Sequence, residues 1–202
     1  MPFLAALISL LTEISELSIL TVMELTPVSQ RFVLHWGEMG TRWGVNRTVA
    51  QIHALLFISG RAMCAEELAE TLNVARSNVS NSLKELQGWK LIRNAHVLGD
   101  RRDHFETSGD VWELFRIIVA ERQRREIEPT LQVLRECMDS PDFSLESPLA
   151  QQRIKNTWQF MDTLTAWTRE MLRLSTSTLS KVLKMGAGIQ KLLGRGKPDA
   201  DE

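Results

Sequence analysis

The chain has 202 residues, 44% of them hydrophobic and 24% charged, and a formal net charge of −1. That length supports a sizeable core without covalent staples, and the near-neutral balance supplies no global attraction to nucleic acid or an acidic membrane. The two cysteines, Cys64 and Cys137, lack any CxxC pairing, and the four histidines never share metal-ligand spacing. No disulfide framework, metal site or cofactor is therefore expected, and a reducing, cytoplasmic setting is.

Residues 1–26 read as an amphipathic N-terminal extension. Glu13, Glu16 and Glu24 interrupt the apolar run short of the roughly 20 residues that a membrane span requires, and no basic stretch precedes it. Leu7, Leu10, Leu11, Ile14, Leu17 and Leu20 approximate one helical face, which favours a packing helix over an export signal. A translation start nearer Met23 is the open alternative. Thr26-Pro27 is a helix start, a capping hydroxyl with proline at the first helical position, and predicts a helix over 27–40 with a loop through 47. The apolar repeat Val49, Ile52, Leu55, Leu56, Ile58, stopped by Gly60, predicts a buried core helix.

Residues 61–106 carry most of the information. AEELAETL predicts a short helix over 65–72 with Leu68, Ala69 and Leu72 inward, and Asn73-Val74 a tight connection. ARSNVSNSLKELQGW predicts a second helix with Val79, Leu83 and Leu86 inward. Two short helices joined by a brief turn, the second polar and basic on its outer face, form a helix-turn-helix. The pattern then becomes extended: LIRNAHVL, a Gly-Asp turn, and DHFET predict a two-stranded hairpin, a wing with Arg101 and Arg102 at its tip. Between residues 76 and 102 six basic groups face two acidic ones, a local surplus of four.

From Asp110 to Met138 an apolar stripe (Val111, Leu114, Phe115, Ile118, Val119, Ile127, Leu131, Leu134) predicts a helix that Pro129 kinks or divides. SPDFSLESP reads as a linker, and residues 149–173 as an amphipathic helix bearing Trp158 and Trp167. Gly186 and Gly188 weaken the helical reading of Leu179–Leu193. Basic Lys181, Lys184, Lys191, Arg195 and Lys197 precede an acidic end, and 195–202 read as a disordered tail. The expected organisation is a mainly α chain: extension 1–26, winged helix-turn-helix domain 27–109, helical dimerisation region 110–194, tail 195–202.

On the second helix Arg76, Ser77, Asn78, Ser80, Asn81 and Lys84 are the candidate DNA contacts. Asn pairs with adenine, Arg with guanine or phosphate, and the short serines allow close approach; Arg76 and Asn78 are the favoured specificity residues. Arg101 and Arg102 suit phosphate or a narrow minor groove, unless Asp100 and Asp103 pair with them; an aspartate can also orient one arginine while the other meets DNA. The chain has six tryptophans and no tyrosine. Trp36, Trp43, Trp158 and Trp167 are candidates for an aromatic effector pocket, against the plainer reading that Trp158 and Trp167 pack a core or dimer face. No serine or cysteine has base and acid partners at informative spacing, so an enzyme is not expected.

The strings HWGEMGTRWGVNRTVAQIHALLF, ARSNVSNSLKELQGWKLI and VLGDRRDHFET, in this order over residues 27–137, resemble the glycine-betaine-synthesis-repressor-like family of MarR-type winged helix-turn-helix transcriptional regulators. That resemblance implies a two-fold homodimer built by flanking helices, one recognition helix per major groove of double-stranded DNA, and repression from an inverted repeat. It also makes a choline-like small-molecule effector a candidate ligand. The two ends of the chain do not map onto the family. The alternatives are a winged-helix protein-interaction module, which does not need a basic surplus confined to recognition helix and wing, and a non-specific chromosomal binder, whose affinity would vary little among sequences.

Overall fold

The computed structural model describes residues 24–192, with side chains of the last helix as far as Met185. The expected N-terminal packing helix, an alternative start at Met23 and the tail after residue 192 lie outside the described residues. The chain divides into two units between Ile117 and Ile118.

The first unit begins with helix α1 (Pro27–Arg42), whose N-cap Thr26 Oγ1 accepts from the Ser29 amide at 3.3 Å. Helix α2 (Arg47–Ser59) follows a short loop, capped by Asn46 Oδ1, which accepts from the Thr48 amide at 2.8 Å. Every residue from Val49 to Leu56 is buried, so α2 is the central rod of the unit, and it ends on left-handed Gly60 (φ 61°). Gly37 and Gly40 let α1 lie against it: a Cβ at Gly37 would stand 2.6 Å from Gln51 Cγ, and one at Gly40 only 2.5 Å from Ala50 Cβ. The segment between Trp36 and Arg47 thus works as a helix-packing and helix-starting device.

Strand β1 (Met63–Cys64) precedes helix α3 (Ala65–Leu72), and left-handed Asn73 (φ 50°) turns the chain into helix α4 (Arg76–Gly88). Lys90 takes the left-handed position (φ 60°) past α4, where the Leu91 amide donates back to the Leu86 carbonyl at 3.0 Å. Strands β2 (Ile92–Ala95) and β3 (His104–Thr107) make the wing, and β1 joins its far edge in an antiparallel sheet ordered β1-β3-β2. The expected two-stranded hairpin is present, and β1 is an addition: two residues are too few for an alternating pattern. Ile52, Leu55, Leu56, Met63, Leu68, Val79, Leu83 and Leu86 pack with Ile92 and Phe105 into one core. Burial of each large side chain contributes roughly 1.5–3 kcal/mol, enough to fix α4 against α2 and the wing.

The second unit takes up the end of helix α5 (Val111–Arg122), a π-helical turn at Gln123–Ile127, helix α6 (Glu128–Asp139), a 3-10 turn at Pro141–Leu145, and helices α7 (Pro148–Arg173) and α8 (Thr176–Leu192). Pro129 has no N–H for the carbonyl four residues earlier, which falls inside the π turn, so the proline divides the helix just upstream of itself. Helix α8 is longer than expected, running through Gly186 and Gly188. Among the described residues beyond Ile117, Leu179 is the one fully buried apolar side chain, whereas Phe160 (67%), Leu164 (49%) and Trp167 (56%) stay exposed.

Candidate nucleic-acid interface

Helix α4 separates its side chains by face. Val79, Ser82, Leu83 and Leu86 are buried, while Arg76, Ser77, Asn78, Ser80, Asn81 and Lys84 are all exposed. At its start Ala75 offers no side-chain acceptor, and of the first-turn amides Asn78 N donates to the Ala75 carbonyl at 2.9 Å. Arg76 forms an ion pair with Glu66 of α3, yet its side chain stays 70% exposed. A pair of this kind is worth about 0–1 kcal/mol, so a phosphate or base could take the guanidinium over at little cost.

The wing tip turns at Val97–Asp100, with Gly99 at φ 84° and the Asp100 amide donating to Val97 O at 3.1 Å. Asp100 then holds its neighbour: its carboxylate accepts from the Arg102 amide at 2.9 Å and from Arg102 Nε at 3.0 Å. The Arg102 side-chain hydrogen bonds keep the Asp100 carboxyl well below the usual carboxylate range, and Arg102 is raised in turn. Arg101 is exposed and has no acid partner among the described residues. One arginine is thus oriented and the other left open. Leu98, at the turn itself, is fully exposed.

A concave surface of about 500 Å³ lies between α4 and the wing, with Arg76, Ser80, Lys84, Arg101 and Arg102 on its walls. Ser77, Asn78 and Asn81 are exposed on the same helix outside that lining. Three lining residues were missed by sequence reasoning: Glu66, and the pair Gln87 and Asn94, where Gln87 Nε2 donates to Asn94 Oδ1 at 2.7 Å and ties the end of α4 to the wing. The polar alternation of IRNA marks Asn94 as outward but not what it meets.

The fold has counterparts among known proteins. The sequence profile of the MarR family matches residues 43–103, from the end of α1 to the wing tip. A solved structure of a transcriptional regulator superposes with a TM-score of 0.56 at 20% identity, covering 72% of this chain and 96% of its own. The fold is a winged helix-turn-helix. Two further solved structures are similar with lower superposition. MepR, a transcription regulator of a Staphylococcus aureus multidrug efflux pump, has 18% identity, TM-score 0.33, and coverage of 68% of this chain and 93% of its own. The adhesin competence repressor of Streptococcus pyogenes has 14% identity, TM-score 0.31, and coverage of 85% and 100%. No curated protein sequence matches the chain. In that fold α4 is the second helix of the helix-turn-helix and β2–β3 the wing. Among the described residues no helix is long and apolar enough to cross a membrane.

The four tryptophans fall in both units. In the first, Trp36 stacks on Phe32 (5.3 Å between centroids) and meets Trp43 edge-on at 6.4 Å. In the second, the Arg135 guanidinium lies 5.3 Å over the half-buried Trp158 ring, while Trp167 is 56% exposed.

Proposed function

We propose that this chain is a sequence-specific, double-stranded-DNA-binding transcriptional regulator of the glycine-betaine-synthesis-repressor-like kind, acting in the cytoplasm as a homodimer that represses from an inverted repeat. The observation that carries the reading is the face of α4: six polar or basic side chains stand exposed on one short helix, beside a wing whose tip offers a free arginine. In this reading Arg76 and Asn78 read base edges, Ser77, Ser80 and Asn81 let the helix sit deep in the major groove, and Lys84, Arg101 and Arg102 contact phosphates or the minor groove.

The dimer reading rests on the second unit. Phe160, Leu164 and Trp167 follow i, i+4, i+7 spacing on α7 and remain exposed in a single chain. An apolar stripe of that kind calls for a partner, and a second copy supplies it with the two-fold symmetry an inverted repeat requires. Two recognition helices about 34 Å apart would then address successive major-groove turns. A small-molecule effector held by tryptophans would have to displace Arg135 from the face of Trp158, or open the Phe32–Trp36 stack.

The test is in vitro selection from fragmented genomic DNA at near-physiological salt, run beside an Arg76→Ala/Asn78→Ala double variant. The expected result is an enriched inverted repeat that the variant no longer selects. Enrichment of no motif by the unaltered protein would overturn sequence-specific regulation and favour a chromosomal binder or an interaction module.

A further inference from the structure

Strand β1 places Cys64 directly opposite His104 in its antiparallel pairing with β3. Residues so paired send their side chains to the same face, with Cβ atoms about 4.5–5.5 Å apart. Glu67 follows in the first turn of α3, where its carboxylate accepts from the Cys64 amide at 2.9 Å and from Arg61 at 3.0 Å. One ligand atom from each of Cys64, Glu67 and His104 therefore converges within 4.8 Å of the others. Strand register and a helix cap set this arrangement, so it does not depend on the reach of long, flexible side chains.

The orientation of the His104 ring is informative. Its Nδ1 lies 2.9 Å from the Arg102 carbonyl, which only an N–H can satisfy, and its Nε2 then lies 3.5 Å from Asp100 Oδ2. With its single proton on Nδ1, a neutral imidazole leaves an unprotonated Nε2 beside a carboxylate. That contact is favourable only when a cation, a proton or a metal ion, stands between them.

We propose that Cys64, Glu67 and His104 form a site for a divalent transition-metal ion of the Zn²⁺ class, with water completing the shell. Thiolate and imidazole select borderline metals over Mg²⁺ or Ca²⁺, and zinc accepts carboxylates as completing ligands. The bond from His104 Nδ1 to a backbone carbonyl is the outer contact that fixes a ligating imidazole. Each Glu67 oxygen keeps a lone pair beyond its present hydrogen bond. Burial pushes the Cys64 thiol up, and a bound dication reverses that by holding the sulfur as thiolate. The ligand atoms draw in by about 1 Å to reach Zn–S and Zn–N distances near 2.3 and 2.0 Å. Cys64 and His104 are buried, but the side chains of Glu67 (16%) and Asp100 (23%) reach the surface and give the ion a way in.

The experiment is a Co²⁺ titration of the metal-free full chain, followed by displacement with Zn²⁺ and by X-ray absorption of the zinc-loaded protein. One Co²⁺ per chain is expected, with a thiolate-to-cobalt charge-transfer band that survives Cys137→Ala and is lost in Cys64→Ala. His104→Gln should weaken binding by more than about 100-fold, since even outer-contact losses cost 10–100-fold. The unaltered zinc protein should show one sulfur near 2.3 Å and three lighter ligands at about 2.0–2.2 Å, a readout independent of whether the variants fold. Absence of the band, its disappearance in Cys137→Ala, or a shell without sulfur would overturn the site. None of these readouts involves DNA, so their failure leaves the regulator reading standing, and failure of operator selection leaves the metal site standing.

Discussion

His53 should make this fold acid-sensitive well above the range where carboxylates titrate. It lies in the middle of α2, 8% exposed, with Nε2 3.3 Å from Thr107 Oγ1. That hydroxyl donates its own hydrogen to Leu91 O at 2.7 Å, so it can only accept from His53, and a neutral ring protonated on Nε2 meets the need. Burial lowers the His53 pKa from the ordinary 6.5 to about 4. The folded state therefore resists the proton that the unfolded chain takes up. The contribution is complete above pH 6.5, declines as pH falls from there toward 4, and the loss levels off below 4. A gap of about 2.5 pKa units limits the loss to roughly 3 kcal/mol, with about 2 kcal/mol gone at pH 5. Urea unfolding at pH 7.5, 6 and 5 should show that decline in the unaltered protein and much less of it in His53→Gln, which keeps a donor for Thr107 without titrating. The carboxyls that the fold holds low, Glu66, Glu67 and Asp100, lose their stabilisation mainly as pH falls through their ordinary 4.5 and 3.8, below the lowest pH of that series. Equal losses in the two proteins would refute the assignment.

Three further outcomes are expected. Gly40→Ala should destabilise by about 1–2 kcal/mol in thermal or urea unfolding, because the clash with Ala50 Cβ exceeds the roughly 1 kcal/mol gained in helix propensity; Gly109→Ala, with open space around it, should not destabilise in this way. Arg101→Ala should lower the salt slope of DNA binding by about one phosphate contact, near 0.9 in log–log units, while Asp100→Asn, which loosens Arg102, should raise affinity for DNA of any sequence. Leu164→Glu should weaken the proposed dimer at least tenfold in sedimentation equilibrium, since a carboxylate would be buried in the apolar stripe without a partner.

The sequence made the helices of the first unit legible because local chemistry and tertiary need agree there. Thr26-Pro27, Gly60 and Asn73 terminate elements by mechanisms that act within a few residues, and the inward set Val79, Leu83, Leu86 keeps helical period. What was hidden is non-local. Strand β1 exists only because β3 pairs with it, and His104 meets Cys64 across forty positions of chain. The left-handed Lys90 breaks the usual preference for glycine, so the end of α4 carried no glycine signal at that position. The outward residues of α4 were readable from helical period, whereas Gln87 and Asn94 gain their meaning only from each other.

Charge shows the same limit and sharpens the functional argument. Counting along the chain gave residues 76–102 a surplus of four positive groups, yet folding brings Glu66 onto Arg76 and Glu106 onto Arg93, at 2.7 Å for the second pair. Both acids come from outside that window, and with them the surplus halves. The resting interface is therefore less basic than the sequence suggests, and in the proposed reading attraction to DNA depends on exchange: Arg76, Arg93 and Arg102 must each trade a carboxylate for a phosphate, whereas Arg101 needs no exchange. Exposed pairs make the trade nearly neutral in energy, and at the wing the Arg102 amide keeps Asp100 in place even when the guanidinium leaves. In the proposed reading such an interface would be weakly attracted to DNA in general and would gain affinity where base contacts at Arg76 and Asn78 favour the exchange, which is the behaviour a sequence-selective regulator with a net charge of −1 requires.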